Sequence, residues 1–193
     1  MSIAVIDCGG ANLRSVQHAF EQKGYETFVT KNNTQIRQAS HVVIPGVGSA
    51  GRVMDALNTL ELTSVIKSLH QPVLGICIGM QIFYEFSHEQ NTKCLGVFNG
   101  EIKKLPIDQG IKIPQMGWNE VIFNASALSH LNNHYYFANS YYAEKSLDTA
   151  AISDYEIPMS SVVIKNNFIG CQFHPEKSSV AGEEFLDYFL GMK

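Results

Sequence analysis

The 193-residue chain has only four cysteines, Cys8, Cys77, Cys94 and Cys171, and no two of them form a C-x-x-C pair or cluster with histidine. A redox dithiol or a thiolate metal site needs closely spaced ligands, so neither a metal nor a redox cofactor is expected. No uncharged apolar run approaches the roughly 18 residues of a membrane span, and no membrane role is expected. Basic blocks are missing too: 14 Lys+Arg stand against 18 Asp+Glu, a net charge of -4, which excludes a protein that grips nucleic acid mainly through phosphates. Asp7-Cys8-Gly9-Gly10-Ala11-Asn12 carries neither G-x-G-x-x-G nor a Walker lysine, and reads as a turn and helix start. The first residues enter a strand directly, without a basic leader, so a reducing cytoplasm with free thiols is the expected setting. Repeats, low-complexity stretches and linkers are absent, and residues 1–193 read as one domain. Charged residues make up 17%, below the roughly 25% of average domains, a hint that a partner covers some surface.

What is present alternates strand and helix through the first half. Ile3-Ala4-Val5-Ile6 is a short apolar run; Leu13, Val16, Ala19 and Phe20 then share one helical face that Gly24 ends. Tyr25 to Thr30 and Val42-Val43-Ile44 read as strands, followed by helical periodicity over Val53, Ala56, Leu57 and Leu60 and again from Leu62 to Leu69. Pro72 to Cys77 is a continuous apolar strand that leads into a helical stretch, Gly79 to Phe86. Short, wholly apolar strands separated by helices predict a parallel sheet covered on both faces. From about residue 94 to 173 the pattern changes to short β-like runs at Gly96–Lys104, Glu120–Phe123, Tyr135–Ala138, Ser161–Lys165 and Phe168–Phe173, with a hairpin at Asn166-Asn167. A last helix from Ser179 would bury Ala181, Phe185, Tyr188 and Phe189. The expected fold is an α/β, flavodoxin-like three-layer sandwich with a mostly parallel central sheet and added antiparallel strands.

Three segments carry chemistry. Gly75-Ile76-Cys77-Ile78-Gly79 is G-x-C-x-G at a strand-to-helix junction, the thiol counterpart of a nucleophile elbow. Its glycines leave room for a tight turn, and the first helical N–H groups, Ile78 foremost, would face an oxyanion. Phe173-His174-Pro175-Glu176 supplies a base and a carboxylate; Pro175 fixes the backbone between them as extended, so His174 and Glu176 share a face and Glu176 can orient the imidazole. Ile44-Pro45-Gly46-Val47-Gly48 is a strand end opening into a glycine loop, where the Val47 N–H would be a second oxyanion donor. Cys171, in line with Ile169 and Phe173, reads as core packing. The other histidines (His18, His41, His70, His88, His130 and His134) show no ligand spacing.

Cys77 followed far downstream by His174 and Glu176, with P-G-V-G upstream, resembles the class I (triad-type) glutamine amidotransferases. The strings Gly75 to Gln81 and Gln172 to Ser178 carry that likeness. Met116-Gly117-Trp118-Asn119 and Ser140-Tyr141-Tyr142 narrow it to the HisH-type glutaminase subunits of imidazole glycerol phosphate synthase. The resemblance implies that Cys77 attacks the side-chain amide of L-glutamine, His174 moves the proton and Glu176 holds the ring. Val47 and Ile78 would bind the oxyanion, and Gly48, Gln81, Ser140 and Tyr141 would hold the substrate. It also implies a heterodimer in which a HisF-type (β/α)8 cyclase receives the ammonia, with Asn12, Trp118, Asn139 and Lys177 at or near that partner. The chain departs from the family's usual pattern at Cys8, Ala11, Ser49, Ala50, Gln115 and Asn139, the last two standing where histidine is usual. These departures leave open a paralogue that feeds another enzyme, such as a sugar-modifying enzyme of surface-polysaccharide synthesis.

Overall fold

The computed structural model describes residues 1–9, 13–46, 48–106, 110 and 112–192. Expectations for Asn12 and Val47 therefore lie outside the described residues. Five strands run parallel through the centre: β1 (Ser2–Ile6), β2 (Glu26–Thr30), β3 (His41–Ile44), β4 (Val73–Ile76) and β13 (Phe168–Cys171), in the spatial order β2-β1-β3-β4-β13. Every residue of β3, β4 and β13 is buried, whereas β2, at the sheet edge, alternates. That difference matches the apolar runs in the sequence, since an inner parallel strand is covered on both faces. Antiparallel strands β12 (Pro158–Lys165), β11 (Thr149–Asp154), β8 (Gln115–Phe123) and β9 (Asn133–Asn139) extend the same sheet beyond β13. The expected hairpin is there, with Lys165 opposite Phe168 and Asn166 left-handed at φ 55°. A second sheet joins β10 (Tyr141–Ala143), β7 (Glu101–Lys104), β5 (Phe86–Ser87) and β6 (Thr92–Lys93).

Right-handed crossovers put α1 (Leu13–Glu21) on one face and α2 (Asn33–Gln38), α3 (Ala50–Thr59) and α4 (Leu62–Lys67) on the other. The closing helix α6 (Ser179–Leu190) shares the α1 face, with the Phe20 and Phe189 rings edge to face at 6.2 Å. His41 packs edge-on against Phe189 at 5.0 Å, a core histidine whose burial lowers its pKa. Among the described residues no helix is long and apolar enough to cross a membrane.

The sequence reading missed several elements. α2 buries only Ile36, so it has no apolar stripe; its signal is the cap, where the Asn32 side chain accepts from the Gln35 N–H at 3.1 Å. The helix expected over Gly79–Phe86 stops early, and α5 is only Ile78–Gln81. There the returning chain takes over the carbonyls, with Leu95 N–H donating to Ile82 O and Val97 N–H to Phe83 O. β8 begins at Gln115, five residues before its expected start, because its first residues reverse the usual alternation: Gln115 points in, while Met116 and Trp118 are 65% and 54% exposed. The run from Gly96 becomes a strand only at Glu101, after Gly96 and Gly100 adopt positive φ.

Phe173, fully buried, lies two residues beyond the end of β13. Its ring stacks on Tyr135 at 4.1 Å and meets Phe137 and Phe185 edge-on. This cluster joins β9, the end of β13 and α6 immediately before His174. Phe173→Ala is expected to cost about 3–5 kcal/mol, read from the urea midpoint, whereas Phe173→Leu should cost less than half as much.

Candidate catalytic site

Cys77 occupies the elbow between β4 and α5 with φ 51° and ψ −106°, a conformation that L residues adopt at a cost of about 1–3 kcal/mol. The surroundings hold it there. Its N–H donates to Cys171 O at 2.7 Å, tying the elbow to the neighbouring strand β13. A β-carbon on Gly79 would run into the Ile44 carbonyl, and one on Gly75 would lie 2.5 Å from Gly79, so both flanking glycines are sterically required. α5 is a single turn. Electrostatic help for a developing anion therefore comes from its first free N–H groups rather than from a long helix dipole.

Cys77 is 4% exposed and His174 6%; both line one cleft of about 430 Å³ at the carboxyl ends of the central strands. His174 Nδ1 lies 2.8 Å from Glu176 Oε1, and Cys77 is close enough to the ring to act on its pKa. The His–Glu pairing does not arise by strand alternation as the sequence suggested. Residues Pro175–Lys177 form a 3-10 turn, with proline at its first position, and the turn folds Glu176 back onto the ring. Burial by itself pushes the imidazole pKa down. Hydrogen bonds to Cys77 and Glu176, with the charge they carry, outweigh burial and raise it to about 10.

Two further residues that the sequence reading did not single out complete this core. Gln172 is fully buried; its Nε2 donates to the Cys77 sulfur at 3.6 Å, and its Oε1 accepts from Gln81 Nε2 at 2.9 Å. Ser178 Oγ donates to His174 O at 2.6 Å and accepts from Tyr136 N–H at 2.9 Å, while His174 N–H donates to Tyr136 O at 2.8 Å. The turn bearing the imidazole is thereby fixed to β9. Both residues lie within the string Gln172 to Ser178, the available signal for them.

The cleft is also lined by Gly48, Ile78, Gln81, Ser140 and Tyr141, all expected, and by Gly46, Glu89 and Ala138, which were not. Gln81 is buried, with Nε2 donating to Tyr141 O at 3.0 Å and Oε1 left without a partner. Lys177 reaches the cleft and lies 5.9 Å above the Tyr136 ring, which meets Trp118 edge-on at 6.2 Å. Trp118 and Lys177 thus sit at an exposed rim. Asn139, expected near a partner, is instead 4% exposed and faces inward, with Nδ2 donating to Tyr141 O at 3.1 Å. A larger hollow of about 640 Å³ between α3, α4 and residues 93–95 contains none of the triad side chains.

The profile of the family described as Glutamine amidotransferase class-I matches residues 4–190. The chain belongs to this family. It is 41% identical over 194 residues to the imidazole glycerol phosphate synthase subunit HisH of Haemophilus influenzae, covering 98% of this chain and 97% of that protein. The subunits so named from Pasteurella multocida and Bacteroides fragilis are each 42% identical, covering 98% of this chain and 97% and 99% of theirs. Among solved structures, one titled glutamine amidotransferase superposes with a TM-score of 0.77 at 13% identity, over 97% of this chain and 96% of that one. PurLQS from Thermotoga maritima gives 0.74 at 14%, over 98% and 97%. At such identities these two show the fold, an α/β class I amidotransferase sandwich.

Two outcomes follow for this amidotransferase. Gly79→Ala should destabilise the protein by about 2–3 kcal/mol in chemical denaturation, because backbone rather than a flexible side chain must move; a parental midpoint would show that the elbow yields. His174, with its raised folded pKa, adds stability that is complete below about pH 6.5 and lost as pH rises through about 10. Across that window the thermal midpoint of the parent should fall toward that of His174→Asn, and a pH-independent gap would contradict the raised value.

Proposed function

We propose that this chain is the glutaminase subunit of an imidazole glycerol phosphate synthase, hydrolysing L-glutamine to glutamate and ammonia and passing the ammonia to a HisF-type (β/α)8 cyclase in histidine biosynthesis. The observation that carries the chemistry is the convergence of Cys77, His174 and Glu176 in one cleft. The proton that leaves the thiol resides on His174, which the Glu176 carboxylate keeps oriented and charged. The sulfur attacks the side-chain amide carbon, and the carbonyl oxygen becomes an oxyanion that faces the free N–H of Ile78 at the start of α5. Val47 supplies the second donor in this reading. His174 then protonates the departing nitrogen, leaving a thioester on Cys77. Deprotonated, the imidazole takes a proton from water, the hydroxide adds to the thioester, and glutamate leaves as the proton returns to the thiolate pair.

The same cleft suits an amino acid as substrate. Glu89 and the unpartnered Gln81 Oε1 offer acceptors for an α-ammonium, while Gly48, Ser140 and Tyr141 provide a polar wall for the carboxylate. Trp118, Met116 and Lys177 present an exposed apolar and cationic rim beside the cleft, which suits the cyclase partner. The full-length similarity to HisH subunits favours this partner over a polysaccharide-modifying one. A cytoplasmic setting agrees with four free, buried cysteines.

Glutamate release from L-glutamine tests the reading. Cys77→Ala should abolish it, and Glu176→Gln should lower kcat by about 10²–10⁴, the usual contribution of positioned acid–base catalysis. Activity should decline as pH rises through about 10, where the imidazolium that protonates the leaving nitrogen is lost. The chain alone should turn over slowly and accelerate with a HisF-type cyclase loaded with its own substrate. Peptide or ester cleavage without glutamine turnover would overturn the assignment.

A further inference from the structure

The segment 87–92 has a second task beyond lining the cleft. Gln90 and Asn91 are consecutive non-glycine residues in the left-handed region, at φ 58° and 49°. Such strain persists only where the surroundings over-determine it. Glu89 N–H donates to Ser87 Oγ at 3.2 Å and Thr92 Oγ1 donates to Glu89 O at 2.8 Å, fixing the turn at both ends. The turn delivers two adjacent side chains onto the start of α3. Glu89 Oε2 accepts from Ala50 N–H at 2.7 Å, and Gln90 Oε1 accepts from Ser49 Oγ at 2.8 Å. Ser49 is the N-cap residue of α3, yet its hydroxyl makes no capping bond within the helix and is committed to Gln90 instead. Gly51 makes room, because a β-carbon there would meet Gln90 Oε1 and Thr92 Oγ1.

The preceding loop explains why an outside tether is needed. Pro45, Gly46, Val47 and Gly48 have no hydrogen-bonding side chain, so Ser49 is the first residue after β3 that can anchor this wall of the cleft. Gly46 packs on the Ile76 carbonyl and the Cys77 β-carbon, where any side chain would collide, and Gly48 lines the cleft at φ 80°. Where α3 begins therefore sets how far this glycine wall stands from the sulfur.

We propose that Gln90 is a positioning residue for the glutaminase reaction: through Ser49 it clamps the start of α3 and so holds Gly46 and Gly48 in register with Cys77. This rests on the glutaminase reading. Gln90 is not among the residues that line the cleft, so its loss changes the geometry of the reacting groups rather than glutamine binding.

The test compares full-length parent, Gln90→Ala, Ser49→Ala, the double variant and Gln90→Glu, which retains an acceptor for the Ser49 hydroxyl. Each alanine variant is expected to lower kcat for glutamate release about tenfold, the scale of one hydrogen bond, with KM within about twofold. The double variant should lose no more than either single, since both break the same bond, and Gln90→Glu should recover most of the rate. Thermal midpoints close to the parent would separate this effect from general destabilisation. Parental kcat in both single variants, additive losses in the double, or a change confined to KM would overturn the clamp. A parent that releases no glutamate even beside a HisF-type cyclase loaded with its own substrate would sink the glutaminase reading. The clamp is then judged by the alkylation rate of Cys77 with iodoacetamide, which must shift in both single variants and return in Gln90→Glu; unchanged rates refute it.

Discussion

The candidate site depends on the parallel seam between β4 and β13. Cys171 pairs with Ile76 and Gly170 with Gly75, so both strands end at one level and the residues that follow emerge side by side. The Cys77 N–H extends this ladder by bonding Cys171 O at 2.7 Å, which commits the strained elbow to the strand that bears His174. A one-residue slip in this register would send the strand's side chains to opposite faces and part thiol from imidazole. Apolar covering on both faces sets that register, because every residue of the two strands is buried. Packing of the core thereby fixes the distance between the thiol and the imidazole.

Once the seam is set, the remaining geometry is local and polar. The 3-10 turn after His174 brings Glu176 onto the ring, and Ser178 fastens the same turn to β9. Desolvating an imidazole favours its neutral form, and only the two hydrogen-bonded partners reverse that preference. Burial and charge therefore oppose each other at His174, and the arrangement holds the ring cationic at neutral pH. Because Cys77 and His174 are both buried, such preorganised groups act on a developing charge with less screening than in bulk solvent.

β8 and β9 link this interior to the outside. Along β8 the polar Gln115 turns inward, opposite Asn139 on β9, while Met116 and Trp118 turn outward. One face of the two strands thus borders the catalytic cleft, and the other exposes apolar side chains beside Lys177. A partner seated on that face would contact the same strands that hold the His174 turn. This gives a physical route by which docking could alter the geometry of the thiol site.

The sequence was most legible where one residue type answers one steric or solvation demand. Gly75 and Gly79 flank the elbow because no β-carbon fits there, and the apolar runs of β1, β3, β4 and β13 are what a parallel sheet covered on both faces requires. Cys77 stood out on those grounds, and His174 and Glu176 through the pairing of a base and a carboxylate with that elbow. Gln172, Glu89 and Gln90 did not, because amides and carboxylates are common surface residues and their roles come from neighbours distant in the chain. α2 and the start of β8 were hidden for a related reason: one lacks an apolar stripe and the other reverses it. The amino-acid order alone thus determined the sheet and the elbow, since these follow from local sterics and from the exclusion of water. Only the tertiary structure decided how Glu176 reaches the imidazole, which way Asn139 faces and what holds the glycine wall, since each is settled by contacts between segments that are far apart in the chain or bent by the fold.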